Sequence, residues 1–178
     1  MRDAGAAAAV AETDRLRLRR LTADDADFVL ALLNEPAFLQ FIGDREVRTL
    51  EQARAYTVDV FAASYDRLGF GLYAVEVKET GEPAGICGLV KREALSDVDV
   101  GFAFLERFWG RGYAQEAARA VLDHARDDLR IDRVIGVTAP DNTASMAVLR
   151  KVGLKDAGTV KLPGYEQDRR LFTPDGRA

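Results

Sequence analysis

The stretch from residue 98 to residue 125 limits the possible folds more than any other part of the chain. An apolar run at 98–105 leads into the loop Trp109-Gly110-Arg111-Gly112-Tyr113-Ala114, and a helical pattern of small residues follows. Glycine permits a positive φ and lets a ligand approach the backbone. A helix that begins near Gly112 points unpaired N–H groups and the positive end of its dipole at such a ligand. The stretch therefore predicts a strand, a phosphate-binding loop and a helix, although a glycine pair alone is more often an ordinary turn.

The composition indicates one globular domain. The chain has 178 residues, of which 48% are hydrophobic and 30% are charged, which suits a single sizeable core. We expect one domain over residues 15–173, a flexible N-terminal tail over 1–14 and a C-terminal tail over 174–178. The net charge of −4 disfavours nonspecific binding to nucleic acid or to an anionic membrane. A single cysteine and the lack of an apolar run of about 20 residues favour a cytoplasmic protein.

The apolar patterns alternate between strand and helix along the chain. Residues 15–20 resemble a half-exposed strand, Thr22 caps a first helix, and Thr49 with Gln52 forms a capping box that opens a second helix. The remaining predicted elements are strands at 70–78, 84–91 and 98–105, a helix from 114, a strand at 133–139, a helix at 143–152 and a final hairpin. The order β-α-α-β-β-β-α-β-α-β-β predicts a mixed α/β (α+β) fold, with seven mostly antiparallel strands and about four helices.

Three segments carry motifs with defined spacing. They are Asp99-Val100-Gly101-Phe102, the loop Arg107-x-x-Gly110-x-Gly112-Tyr113-Ala114, and Asn142-x-x-Ser145 with Lys151-x-Gly153 after it. Together they resemble the GNAT superfamily of N-acetyltransferases, and within it the RimJ/RimL-like branch that includes ribosomal-protein acetyltransferases. The resemblance covers residues 15–173. It implies the fold of that superfamily, acetyl-coenzyme A as co-substrate and a primary amine as acceptor.

The resemblance also implies where the co-substrate binds. The glycine loop matches the superfamily's pyrophosphate motif, and the strands at 98–105 and 133–139 splay apart to admit the pantetheine arm. Arg107 and Arg111 either contact phosphate or lie in solvent, and Asn142 either contacts the arm or caps the helix that follows it. The expected co-substrate residues, which include backbone groups of the first two, are Phe104, Leu105, Arg107, Trp109, Gly110, Arg111, Gly112, Tyr113, Ala114, Asn142 and Ser145.

The chemistry of amine acetylation indicates two candidate catalytic residues. Only a neutral amine attacks a thioester, and the thiolate that leaves must be stabilised. Strand alternation places Asp99 on the face of the strand away from Val98 and Val100, near the expected thioester. We expect it to act as a base or to orient the acceptor, and the alternative is an ion pair with a nearby cation. In many members of the superfamily a tyrosine stands at the position of Leu149, and here that proton donor is absent. Ser145, one turn earlier, is therefore a candidate to hydrogen-bond the sulfur, and the alternative is that it caps the helix. One histidine in the whole chain argues against a histidine metal site.

The acceptor is the least determined part of the prediction. A protein N-terminal α-amine is the leading candidate, and polyamines, aminoglycosides and amino-acid-like toxins stay open. A catalytically silent module that binds or senses acyl-coenzyme A is the alternative to an enzyme. The sequence does not determine the oligomeric state, although an exposed edge strand in the last hairpin would allow a homodimer. Four acidic residues either line a cleft for a cationic amine or lie in ordinary surface loops, the second being the more common case, and they are Glu35, Asp44, Glu46 and Glu166.

Overall fold

The computed structural model describes residues 8–178, which form one eight-stranded sheet with helices packed against it. The strand order is β1-β2-β3-β4-β5-β6-β8-β7. The strands are Ala9–Glu12 (β1), Leu16–Arg19 (β2), Leu72–Val77 (β3), Pro83–Val90 (β4), Val98–Phe104 (β5), Val134–Thr138 (β6), Lys155–Val160 (β7) and Arg169–Thr173 (β8). The α-helices are Ala26–Leu33 (α1), Pro36–Phe41 (α2), Leu50–Tyr56 (α3), Ala63–Leu68 (α4), Tyr113–Asp127 (α5) and Thr143–Lys151 (α6).

The sheet has eight strands rather than the predicted seven, because β1 forms within the segment assigned to the N-terminal tail. β1 pairs antiparallel with β2. On α5, the Glu116 carboxylate holds the turn between them by accepting hydrogen bonds from the Thr13 hydroxyl at 2.5 Å and Arg15 Nε at 2.7 Å. Burial alone would raise the pKa of Glu116, but these hydrogen bonds outweigh it and lower the pKa. The rest of the predicted tail, residues 1–7, lies outside the described part of the chain.

The helices that precede β3 are more numerous than predicted. The capping box of Thr49 and Gln52 is present, and the helix that it opens continues through a π-helical segment, Thr57–Ala62, into α4. The connection predicted between the first two helices contains α2, which begins at Pro36, where a proline needs no hydrogen-bonded N–H. Over residues 8–178, six α-helices therefore replace the predicted four.

Helix α5 packs its stripe of small residues against β4 and β5, as the sequence predicts. The buried positions Ala117, Ala118, Val121 and Ala125 recur at helical spacing, which lets the helix lie close to the sheet. The loop before α5 is consequently fixed relative to the end of β5.

Strands β5 and β6 are parallel, yet they pair only where they begin. The paired positions are Val98 with Val134 and Asp99 with Ile135. β5 nevertheless continues to Phe104 and β6 to Thr138. Beyond Asp99 the two strands splay apart, as the resemblance predicted, and the facing backbone groups lack the partners that a closed sheet would provide.

The C-terminal residues pack onto the domain through Arg133. Its guanidinium donates to Asp97 at 3.0 Å, to Asp175 at 3.2 Å and to the Arg177 carbonyl at 3.1 Å. β7 lies at one edge of the sheet, so the homodimer that the last hairpin would allow stays a prediction. In the described chain, none of the helices has the length and apolar character needed to cross a membrane.

Candidate active site

Two cavities meet at the gap between β5 and β6. The first, about 510 Å³, is lined by the glycine loop and the start of α5, and we call it the loop cavity. The second, about 330 Å³, is lined by Asp99 and by residues of α4 and β8, and we call it the Asp99 cavity. Both cavities are lined by Phe102 and Ala103 of β5 and by Asn142 and Ser145 at the start of α6. A ligand in one cavity therefore lies next to a ligand in the other.

The glycine loop has the geometry of an anion site. Gly110 and Gly112 have φ of 71° and 77°, a region in which a side chain is strained. Helix α5 begins directly after Gly112, and no side chain caps it. The N–H groups of residues 113–115 have no acceptor within the described chain, so they are available to a ligand. These donors and the helix dipole fit the pyrophosphate of coenzyme A.

Most of the predicted co-substrate residues line the loop cavity. Those that do are Phe104, Trp109, Gly110, Gly112, Tyr113, Ala114, Asn142 and Ser145. Arg107 and Arg111 do not: Arg107 is exposed and lies 3.6 Å from Glu82, and the carbonyl of Arg111 accepts a hydrogen bond from Arg15. The loop cavity therefore offers an anion backbone N–H groups rather than these two guanidinium groups.

The strand register corrects the expectation that Leu105 offers backbone groups to the co-substrate. Its N–H donates to the Ala84 carbonyl at 2.9 Å, within the sheet. Because hydrogen bonding alternates along an antiparallel pair, the backbone groups of Phe102 and Phe104 then face the gap. The Phe104 carbonyl already accepts a bond from Trp109 Nε1 at 2.9 Å. Phe102 is thus a site residue that the sequence reasoning missed, since only the register shows which groups face the gap.

Asp99 is a buried carboxylate on the wall of the Asp99 cavity. The residue is 1% exposed, its Oδ2 accepts a 3.3 Å hydrogen bond from Arg92 Nε, and its Oδ1 has no partner among residues 8–178. Burial raises the pKa of Asp99, and the charge and hydrogen bond of Arg92 only partly oppose that rise. The ion pair foreseen as an alternative exists, but it is long and leaves one oxygen for a ligand.

The start of α6 places two polar residues where the cavities meet. Asn142 Oδ1 accepts a hydrogen bond from the Ser145 backbone N–H at 3.1 Å, so Asn142 caps the helix. The Ser145 hydroxyl bonds to none of the described residues and borders both cavities. Leu149, one turn further on, is buried against Gly136 of β6 and offers no proton donor. Ser145 is therefore the hydroxyl that this helix presents to the site.

The charge of the Asp99 cavity is opposite to that of the acidic cleft considered from the sequence. None of the four acidic residues lines this cavity, so the acidic cleft is wrong. Asp99 is the one carboxylate among the lining residues of the described chain. The cations that line the cavity are Arg45, Arg67, Lys91, Arg92 and Arg169. They come from four separate segments of the chain, so no local sequence pattern could indicate that they share a cavity.

Known proteins share this architecture. The family model of the acetyltransferase (GNAT) domain matches residues 15–155. The uncharacterized protein YkkB of Bacillus subtilis is 32% identical over 152 residues, which cover 84% of this chain and 87% of the relative. The uncharacterized N-acetyltransferase YoaA of Bacillus subtilis is 27% identical over 161 residues, which cover 88% and 89%. The RimL ribosomal L7/L12 alpha-N-protein acetyltransferase, solved with coenzyme A, has a TM-score of 0.80 at 21% identity, over 93% of this chain and 97% of that chain.

The match and the geometry concern the same part of the molecule. The matched residues 15–155 include the glycine loop, Asp99 and Ser145, and the GNAT fold uses acetyl-coenzyme A. The unpartnered N–H groups at the start of α5 and the gap between β5 and β6 fit that co-substrate. The chain therefore belongs to the GNAT family and is an N-acetyltransferase.

Proposed function

We propose that the protein transfers the acetyl group of acetyl-coenzyme A to an α-amine, with Asp99 as the general base. The observation that carries the proposal is the unpartnered Oδ1 of Asp99, a buried oxygen in the Asp99 cavity. Asn142 and Ser145 border this cavity and the loop cavity alike. An amine next to Asp99 and a thioester held along the splayed strands would therefore meet at the gap.

Asp99 accepts a proton from the ammonium form of the acceptor, directly or through a water. The neutral amine then attacks the thioester carbonyl, the N–C bond forms and the C–S bond breaks. After the attack, the nitrogen gives its second proton to the departing thiolate, so that the products are the amide and the thiol of coenzyme A, and Asp99 returns its proton to solvent. Burial raises the pKa of Asp99, which makes it a stronger base than an exposed carboxylate.

Two further groups stabilise the negative charge that develops on the thioester oxygen and on the departing sulfur. The Phe102 N–H, which the register turns toward the gap, is a fixed donor for the thioester oxygen. The Ser145 hydroxyl donates a hydrogen bond to the sulfur, because Leu149 cannot. Both groups act by position, so they require no movement during the reaction.

The choice of an α-amine follows from the cost of deprotonation. At pH 7 this cost is about 1 kcal/mol for an α-amine and about 4–5 kcal/mol for a lysine side chain. A single carboxylate is a sufficient base for the former. The five cations of the Asp99 cavity disfavour polyamines and aminoglycosides. A protein N-terminus is the leading acceptor, supported by the similar fold of a protein named as an alpha-N-protein acetyltransferase, and a small α-amine is the second.

The test is the release of coenzyme A from acetyl-coenzyme A with matched amines. The panel contains peptides with a free N-terminus, the same peptides blocked at the N-terminus but carrying a free lysine, amino acids, and spermidine. We expect free α-amines to react at least about tenfold faster than lysine amines. Calorimetric binding of acetyl-coenzyme A without turnover of any amine would contradict the proposal and indicate a catalytically silent acyl-coenzyme A-binding module.

A further inference from the structure

The side chains that line the Asp99 cavity carry an excess of positive charge. The whole chain has a net charge of −4, yet this cavity is lined by five cations and the single carboxylate of Asp99. The adjoining loop cavity differs, since its charged lining residues are Lys151 and Asp141. The cations therefore do not serve the pyrophosphate, which the glycine loop accommodates on the other side of the gap. They mark the side from which the acceptor enters.

Arg169 is a half-buried cation of this cavity without a carboxylate partner. It is half-buried in β8, its Nη2 donates to the Phe41 carbonyl at 2.8 Å, and its guanidinium carbon lies 4.2 Å from the centre of the Tyr165 ring. It forms no ion pair with any residue of the described chain. Burial lowers the pKa of Arg169, Arg92 lowers it further, and Tyr165 and Asp141 only partly oppose this change.

The other cations of the cavity either bond to other groups of the protein or are exposed to solvent. Arg92 is committed to Asp99, and Lys91 donates to the carbonyls of Leu95 and Ser96. Arg45 and Arg67 are exposed and, within residues 8–178, form no ion pair. A cluster of like charges around a half-buried guanidinium costs free energy until an anion neutralises it. Asp141 acts on Arg169 through space but forms no ion pair with it, so the position of a direct carboxylate partner is open to a ligand.

We propose that the acceptor is a primary amine with a carboxylate a few bonds from the nitrogen, and that Arg169 binds this carboxylate while Asp99 receives the amine. The inference rests on the proposed function, which it narrows to an acidic class of acceptor. A guanidinium binds a carboxylate through two parallel hydrogen bonds, which fixes the orientation of the molecule as well as its charge. The volume of about 330 Å³ accommodates a group of amino-acid size. Two sources have this chemistry: a free α-amino acid, and a peptide with an acidic residue next to its N-terminus.

The test compares pairs of acceptors that differ by one carboxylate, at a pH where the fraction of neutral amine is measured for each. One arm uses α-amino acids and their carboxamides. The other arm uses tripeptide amides with Asp or Asn at the second position. For the true source, we expect the acid to exceed its neutral partner about ten- to hundredfold in kcat/KM, mostly through KM, because a charge-assisted hydrogen bond is lost. Equal kcat/KM for acid and neutral partner in both arms would overturn the inference and leave the proposed function intact.

Variants of two adjacent strand residues assign the effect to Arg169. Arg169→Gln should remove the preference for the acid, and Arg169→Lys should restore part of it. The matched control is Arg170→Gln, because Arg170 does not line the cavity and instead pairs with Asp156 of β7. The control should keep the full preference. If Arg169→Gln kept it as well, with an unchanged melting temperature, the assignment to Arg169 would be wrong.

Binding separates this inference from the proposed function. Calorimetry of the protein saturated with coenzyme A should show binding of the acid and at least about tenfold weaker binding of its neutral partner. Binding of the acid without any turnover would support the inference and contradict the proposed function. Turnover of amines without a carboxylate, and of no others, would support the proposed function and contradict the inference.

Discussion

Replacement of Asp99 by Asn should make the protein more stable and less active. Asp99 is 1% exposed, one carboxylate oxygen has no partner, and the other has a hydrogen bond of 3.3 Å, longer than is usual for a charge-assisted bond. A buried polar group without a partner costs about 1–3 kcal/mol. An amide is less costly to bury than a carboxylate. The Asn oxygen can still accept the hydrogen bond from Arg92, so the loss is the difference between a charged and a neutral hydrogen bond, about 1 kcal/mol.

The balance predicts that Asp99→Asn raises the free energy of unfolding at pH 7 by about 1–2 kcal/mol, and Tm by about 2–8 °C for a domain of this size. The effect depends on pH with a definite sign. Because burial raises the folded-state pKa of Asp99, the penalty is absent below the unfolded pKa of about 3.9 and grows as the pH rises through the folded pKa. The difference in Tm between variant and wild type should therefore shrink toward acid pH.

Melting curves between pH 4 and 8 and the coenzyme A release assay measure the two halves of this prediction. We expect kcat/KM to fall by about 10²-fold or more, as for loss of a general base. Asp97→Asn is the matched control, since Asp97 lies two residues away, pairs with Arg133 at 3.0 Å and is partly exposed. It should change Tm only slightly and leave kcat/KM unaltered. A variant of Asp99 that melts lower than wild type and keeps its activity would refute the reasoning.

Three other outcomes are expected. Gly112→Ala should weaken acetyl-coenzyme A binding in calorimetry and destabilise the fold by about 1 kcal/mol, because φ is +77°; Gly158→Ala, at φ of 95° in β7, should be equally strained yet bind normally. Ser145→Ala should keep the backbone bond to Asn142 and the melting temperature, and lower kcat about tenfold by removing the hydroxyl; an unchanged kcat would leave the sulfur without a hydroxyl donor from α6. Cys87 is fully buried, and burial raises the pKa of its thiol, so a thiol reagent should label it only after unfolding; rapid labelling of the native protein would contradict this.

Local signals were sufficient for the elements that frame the site. The glycine loop and the small-residue face of α5 form as predicted, and so does the Thr49 capping box, because each depends on residues within a few positions of one another. The strand β1 was missed because it lies in an alanine-rich segment without a strand pattern, and because Glu116, which holds its turn, is about 100 residues further along the chain. Helix α2 was missed because six residues give too short a period to recognise.

The sequence alone determined the order of the elements from β3 onward, the anion-binding loop and the family, since those depend on short spacing and residue type. Tertiary structure decided what surrounds the reacting amine. The burial of Asp99, the backbone groups that face the gap and the gathering of Arg45, Arg67, Arg92 and Arg169 around one cavity all depend on contacts between distant segments. Desolvation and charge act through space rather than along the chain, so a carboxylate that looks like any acidic strand residue acquires a raised pKa and cationic neighbours only when the sheet is assembled.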